Sequence, residues 1–292
     1  MNNFTCFGEV LWDIFPKETK IGGAPLNVAF RLKAFENNVA IISAVGKDDL
    51  GEELTQYLDN NLINTEFIQR LDDFQTGKVN VSLDEDGSAA YEIEFPAAWD
   101  YIQLNKELLA KVAQSKVFVY GSLACRNSVT KNTLVELLKV ANFKVFDVNL
   151  RPPYFSQEIL SELMTGATFI KFNEEELELI ANDFGSNFSS IEDNMTFISN
   201  AYGTKYVCVT RGGDGAILLI EGNFHYNAGY KIIVKDTVGA GDSFLATLIN
   251  NLLSGAKPQT ALDYACAVGT LVAGSEGANP DILERDIMNL MN

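Results

Sequence analysis

Short apolar runs rich in β-branched residues recur along the chain, and stretches of helical periodicity lie between most of them. Strands are predicted over 4–10, 39–45, 117–120, 144–148, 168–170 and 205–209, and helices over 25–36 and 50–61. Strands that read as apolar on both faces, separated by helices, belong to a parallel sheet covered on each side. The expected fold is therefore an α/β, Rossmann-like three-layer domain with a predominantly parallel central sheet. Three further helices are expected over 240–254, 258–273 and about 280–290, begun by Gly/Asp, Pro258 and Pro280.

One region breaks the rhythm. Residues 76–83 and 89–95 alternate apolar and polar, and Asp84-Glu85-Asp86-Gly87 between them is a turn signal. Residues 11–21 also look extended. A small β-sheet lid built from about 9–21 and 72–102 is expected, carried by a single domain over 1–292. The alternating strand at 78–83 is a candidate sheet edge for pairing between subunits, or a face left to solvent.

Charge narrows the partners. Lysine and arginine total 22 against 39 aspartates and glutamates, a formal net charge of −17, and no window is rich in basic residues. Nucleic-acid binding rests on basic stripes, and anionic lipid surfaces repel such a chain. Neither nucleic acid nor membrane is an expected partner. No signal peptide or membrane span is read, and a cytoplasmic location is expected. Cys6, Cys125, Cys208 and Cys266 lack metal-ligand spacing and read as reduced core cysteines. Asn3, Asn187 and Asn194 read as chance glycosylation matches. The single histidine, His225, sits in an alternating run and reads as a surface strand residue, which excludes a Ser-His-Asp triad and an HExxH site. No lysine precedes serine or threonine, so there is no Walker-type P-loop.

The chemistry-bearing stretch is Asp236-Thr237-Val238-Gly239-Ala240-Gly241-Asp242-Ser243-Phe244, at the start of an apolar helix. Glycines there allow a tight turn and leave consecutive N–H groups free at a helix N-terminus, an anion site. Asp242 could accept a proton from an attacking hydroxyl. An Asp-capped helix after a glycine turn is the plain alternative.

Four other segments accompany it in order: Gly22-Gly23-Ala24-Pro25-Leu26-Asn27, Asp147-Val148-Asn149-Leu150-Arg151, Asn173-Glu174-Glu175-Glu176 and Val209-Thr210-Arg211-Gly212-Gly213-Asp214-Gly215. Together these motifs resemble the ribokinase-like (PfkB) carbohydrate kinases over nearly the whole chain. The resemblance implies transfer of the γ-phosphoryl group of ATP to a sugar hydroxyl, with Asp242 as base and the N–H groups of Gly239, Ala240 and Gly241 as anion hole. It places Asp13, Gly22, Gly23, Asn27 and Arg151 at the sugar, and Asn173, Thr210, Gly212 and Gly215 at the nucleotide. Mg²⁺ would be met by Glu176 through water, and a monovalent cation such as K⁺ by the Asp236 and Val238 region. Ala273 to Ala278 would lie at the adenine, or form a plain interhelical loop.

Arg211 departs from the family's usual apolar residue and is a candidate for a phosphate contact instead. The flap segments, Gly121-Ser122-Leu123-Ala124 and Phe95-Pro96-Ala97-Ala98-Trp99-Asp100 are similar to bacterial fructokinases, so D-fructose is the expected substrate. Trp12, Tyr91, Phe95 and Trp99 are candidates for an apolar wall of the sugar pocket. Kinases of 2-keto-3-deoxygluconate, ribose or a nucleoside are the alternatives among enzymes, and a non-catalytic sugar-binding regulator with the kinase fold is the alternative from another class. The chain is expected as a monomer or homodimer.

Overall fold

The computed structural model of the chain describes residues 2–16, 18–83 and 89–292. The N-terminal part runs β1 (Asn3–Phe7), β2 (Leu11–Ile14), β3 (Thr19–Gly22), α1 (Ala24–Ala34), β4 (Asn38–Gly46), α2 (Asp49–Asn60), β5 (Ile68–Leu71), β6 (Gly77–Leu83) and β7 (Ala89–Ile93). The middle runs α3 (Lys106–Gln114), β8 (Val117–Gly121), α4 (Ser128–Val140), β9 (Phe143–Asp147), α5 (Gln157–Met164), β10 (Phe169–Asn173), α6 (Glu174–Asp183) and α7 (Ile191–Tyr202). The remainder is β11 (Tyr206–Thr210), β12 (Ala216–Ile220), β13 (Asn223–Asn227), α8 (Ala240–Leu253), α9 (Pro258–Ala273) and α10 (Glu284–Met291).

Nine strands form the large sheet, in the order β13-β12-β11-β10-β9-β8-β1-β4-β5. From β5 to β11 neighbours run parallel; β12 and β13 close that edge as an antiparallel hairpin. This is the ribokinase-like α/β fold, with helices on both faces. Successive strand residues point to opposite sides. Cys6, Ile41, Val119 and Phe169 accordingly pack with α1, α8 and α9. Phe7, Ile42, Phe118 and Ile170 pack with α3, α4, α6 and α7 on the other side. All four cysteines are buried and unbridged.

The second sheet is small, in the order β3-β2-β6-β7. β2 pairs antiparallel with β3 and parallel with β6, and β6 pairs antiparallel with β7. The 78–83 strand is therefore interior to its sheet, not an edge, because β2 and β7 take its two sides. The Asp84-Glu85-Asp86-Gly87 turn and the Tyr91 side chain lie outside the described residues. Beyond β7, the 3-10 turn Ala98–Tyr101 bridges the two sheets: Ala98 and Ile102 join the core of the large sheet and Tyr101 stacks on Phe74, while Trp99 packs against Ile93 of β7 and beside Gly77 of β6.

Two boundaries differ from expectation for identifiable reasons. β1 stops at Phe7 because Gly8, at φ +143°, turns the chain out of the sheet. α10 begins at Glu284 rather than near Pro280, because the Pro280 carbonyl accepts a hydrogen bond from Arg31 Nη2 at 2.9 Å. His225 lies half-buried on β13, an edge strand. Among the described residues no helix is long and apolar enough to cross a membrane.

Candidate active site

In an open parallel sheet, ligands gather beyond the carboxyl ends of the strands. Those ends here carry Glu9 after β1, Asp147 on β9, Lys171 and Asn173 on β10, and Thr210 on β11. The N-terminus of α8 faces them. Gly239 caps that helix at φ +75°, and a Cβ there would run into the Ala278 backbone. Glycine is needed on both counts. The first helical bond is from Ser243 N–H to the Gly239 carbonyl at 2.8 Å. Ala240 N–H donates to the Thr237 carbonyl at 3.3 Å, while no protein acceptor meets Gly239, Gly241 or Asp242 N–H among the described residues. These donors, at the positive end of the helix dipole, suit an anion.

Asp242 sits half-buried in the first turn of α8. Its Oδ2 accepts from Asn27 Nδ2 at 2.8 Å. Desolvation, reinforced by Asp147, pushes its pKa up to about 6; Asn27, Lys171 and Arg151 oppose the rise. Lys171 lies at 2.9 Å from Asp147 Oδ1, both almost fully buried. A Cβ on Gly241 would stand 3.5 Å from Lys171 Nζ, so the ammonium is at the helix N-terminus. Burial disfavours its charge, but the surrounding carboxylates hold its pKa above the ordinary value. Glu9 is also buried: Oε1 accepts from Ala24 N–H at 3.2 Å and Oε2 has no partner. Burial pushes Glu9 up to about 7.

A cavity of about 560 Å³ opens from this turn. Its lining includes the loop and helix-terminus residues Thr210, Gly212, Gly215 and Gly241 and the apolar side chains of Ile232, Val234 and Phe244. That volume and that mixture of backbone donors and apolar side chains suit a nucleotide. Arg211 is not in the lining; its Nε lies 3.5 Å from Glu174.

The other anticipated residues fall in three groups. Asp13, on β2, is opposite Lys20 of β3, and burial raises it to about 6. Gly22 leaves the space that the Asp13 carboxylate occupies, and Gly23, at φ +118°, caps α1. Arg151 is exposed, its Nη1 on the Leu150 carbonyl at 2.9 Å. Asn173 and Glu176 form a reciprocal capping box on α6, and Glu176 also accepts from Leu150 N–H at 2.8 Å. Both Glu176 oxygens are thus engaged by backbone donors. Asp236 accepts from Val238 N–H at 3.0 Å and from Gly277 N–H at 3.2 Å, which ties the turn before α8 to the loop after α9.

One expectation fails. Trp99 is fully buried beneath the Arg126 guanidinium, 3.9 Å from the ring centroid, and is no pocket wall. Trp12 is pinned by its Nε1 to the Leu50 carbonyl at 3.0 Å, and Phe95 is exposed. Sequence reasoning missed Lys171, and gave Glu9 and Asp147 no role. The signal for Lys171 was a lone charge within the apolar run of β10, where burial demands a partner.

The profile of the pfkB family carbohydrate kinase matches residues 6–285. A fructokinase from Salmonella typhimurium is 28% identical over 294 residues, covering 93% of each chain. The fructokinase of Vibrio cholerae, solved with fructose, ADP and calcium, superposes with a TM-score of 0.84 at 23% identity, over 100% of this chain and 99% of that one. A double mutant of it holds fructose, ADP and potassium, with a TM-score of 0.84, 24% identity and the same coverage. The 2-dehydro-3-deoxygluconokinase of Thermotoga maritima superposes with a TM-score of 0.86 at 19% identity, over 100% and 99%.

Proposed function

The chain belongs to the pfkB family of carbohydrate kinases, and on that premise we propose that it transfers the γ-phosphoryl group of ATP to the 6-hydroxyl of D-fructose. The observation that carries the reading is the meeting, at one helix N-terminus, of Asp242, unpaired N–H groups, a buried ammonium and a nucleotide-sized cavity.

In this reading Asp242 takes the hydroxyl proton as that oxygen bonds to the γ-phosphorus, the bond to the β-phosphate oxygen breaks, and ADP leaves. The N–H groups of Gly239 and Gly241, with Ala240 if it releases Thr237, hold the charge on the transferred group. Lys171 adds a positive charge beside them. Asp13 binds sugar hydroxyls, and the small sheet closes over them as a lid.

Mg²⁺ supplies charge neutralisation on the phosphates. Such an ion would be held mainly by the phosphates and by water, with few protein ligands. Glu176 then orders the strand ends around that water. A monovalent cation would use backbone carbonyls of the Asp236 to Val238 turn, since the Asp236 carboxylate is engaged. The enzyme is expected to work in the cytoplasm.

Charge favours a neutral sugar over a keto acid. Asp13 would repel a carboxylate, Lys171 is already paired, and Arg151 is the remaining cation among the site residues named here. The test is ADP release from ATP and Mg²⁺ against fructose, ribose, 2-keto-3-deoxygluconate and nucleosides, with D242N as control. Fructose turnover that drops about 10²–10⁴-fold in folded D242N supports the reading. Turnover on another compound alone would overturn the substrate, and an active D242N the base.

A further inference from the structure

A chain of two side-chain amides runs from the loop after α9 to Asp242. Asn279 Nδ2 donates to Asn27 Oδ1 at 2.9 Å, and Asn27 Nδ2 donates to Asp242 Oδ2 at 2.8 Å. Asn27 is buried, and Asn279 Oδ1 is buried without a partner. An ionised carboxylate only accepts, so it needs the NH₂ end of Asn27. That end faces Asp242 only while the oxygen end of Asn27 is satisfied elsewhere, and Asn279 is what satisfies it. The anchor is firm. One turn further along α1, Arg31 donates to the Pro280 carbonyl at 2.9 Å and to Ser243 Oγ at 3.2 Å. Ala278 lies against Gly239, where a Cβ would not fit.

We propose that Asn279 is a positioning residue: it fixes the amide of Asn27 so that Asp242 is held in one orientation, with one lone pair engaged and the other oxygen free to take the substrate proton. This rests on the reading of Asp242 as the base. Loss of the amide chain would leave nucleotide binding largely intact and affect the proton-accepting step. The other charged groups facing Asp242 are Asp147, Lys171, Arg151 and Glu9. The variants below leave all of them in place.

The test compares N279D with N279L in the full-length enzyme. Asp and Leu are both close to Asn in size, but ionised Asp only accepts and would turn the Asn27 amide around, presenting its oxygen to Asp242. We expect N279D to lower kcat at pH 8 about ten-fold or more, and to move the acid limb of the kcat profile up by about one pH unit. N279L should have a smaller effect on both, and KM for ATP should stay within about two- to three-fold. Melting temperatures separate this from packing. The proposal falls if N279D and N279L lose activity in step with their stability, or if N279D leaves kcat and the limb unmoved. Should N279D not fold, N279L alone decides: an unshifted limb overturns the proposal. The D242N control distinguishes the two failures. An active D242N removes the base itself, whereas an inactive D242N beside an unaffected N279D removes only the positioning role.

Discussion

Charge at the strand ends is crowded at the scale of single residues. Glu9, Asp147, Glu176 and Asp242 share one neighbourhood with Lys171 and Arg151. With Asp242 raised to about 6, a step that needs its ionised form loses rate as pH falls through that value. We expect kcat to drop ten-fold per unit well below pH 6, and a profile flat from pH 5 to 8 would remove Asp242 as base. Glu9 has a stability consequence of definite sign. Its carboxyl is raised from 4.5 to about 7, so the fold favours the protonated form. That contribution is fully present below about pH 4.5 and lost as pH rises through 7. E9Q keeps an acceptor for Ala24 N–H and carries no charge. It should be more stable than the parent at pH 8, by about 3 kcal/mol, with the gap narrowing to less than about 1 kcal/mol by pH 5. Thermal unfolding at the two pH values checks this, and an equal gap at both refutes it. These residues were only partly legible. The glycines and Asp242 lie in one nine-residue stretch, but Asn27 and Asp242 are 215 residues apart. A sequence read by local motif does not show that they touch.

Elements were easier to read than contacts. Apolar runs with period-two faces marked the central strands, because both faces are buried there. The short edge strand β5 escaped, since an edge needs fewer apolar residues, and the apolar run of β12 (Ala216–Ile220) was passed over although it is buried between β11 and β13. The interior position of β6 also escaped, because its parallel partner β2 lies far away in sequence. Two predictions belong to elements. Arg126 and Asp100 form a fully buried ion pair at 2.6 Å, and Arg126 Nη2 also reaches the Glu94 carbonyl. The pair ties the 3-10 turn Ala98–Tyr101 and the chain leaving β7 to the segment before α4. Removing one partner strands the other, so R126A should cost about 3–5 kcal/mol in urea unfolding, and less than 1 kcal/mol would show the pair to be expendable. In the small sheet, G22A would place a methyl group where the Asp13 carboxylate lies. We expect KM for the sugar to rise about ten-fold or more with little change in melting temperature, since the carboxylate can swing away. An unchanged KM would take Asp13 out of sugar binding.

For the whole molecule, a net charge of −17 sets a field that an anionic nucleotide must cross and a neutral sugar does not feel. Composition showed that asymmetry at once. It could not show that the site keeps its cations close to the reacting groups, one paired to Asp147 and one exposed at Arg151. The two scales oppose each other. Long-range repulsion between protein and MgATP is screened within about 10 Å at 0.1 M salt and reaches about 30 Å at 0.01 M. The contacts of Lys171 lie in a buried setting, where salt penetrates little. Raising ionic strength from about 0.01 to 0.15 M, at constant potassium and magnesium, should therefore relieve the repulsion more than it weakens the contacts. We expect KM for MgATP to fall by about two- to five-fold while KM for a neutral sugar stays unchanged. The neutral substrate is the internal control, because any effect of salt on folding or lid closure would move both constants. A KM for MgATP that rises with salt would mean that the exposed guanidinium of Arg151 governs nucleotide capture, and that the overall charge of the chain does not.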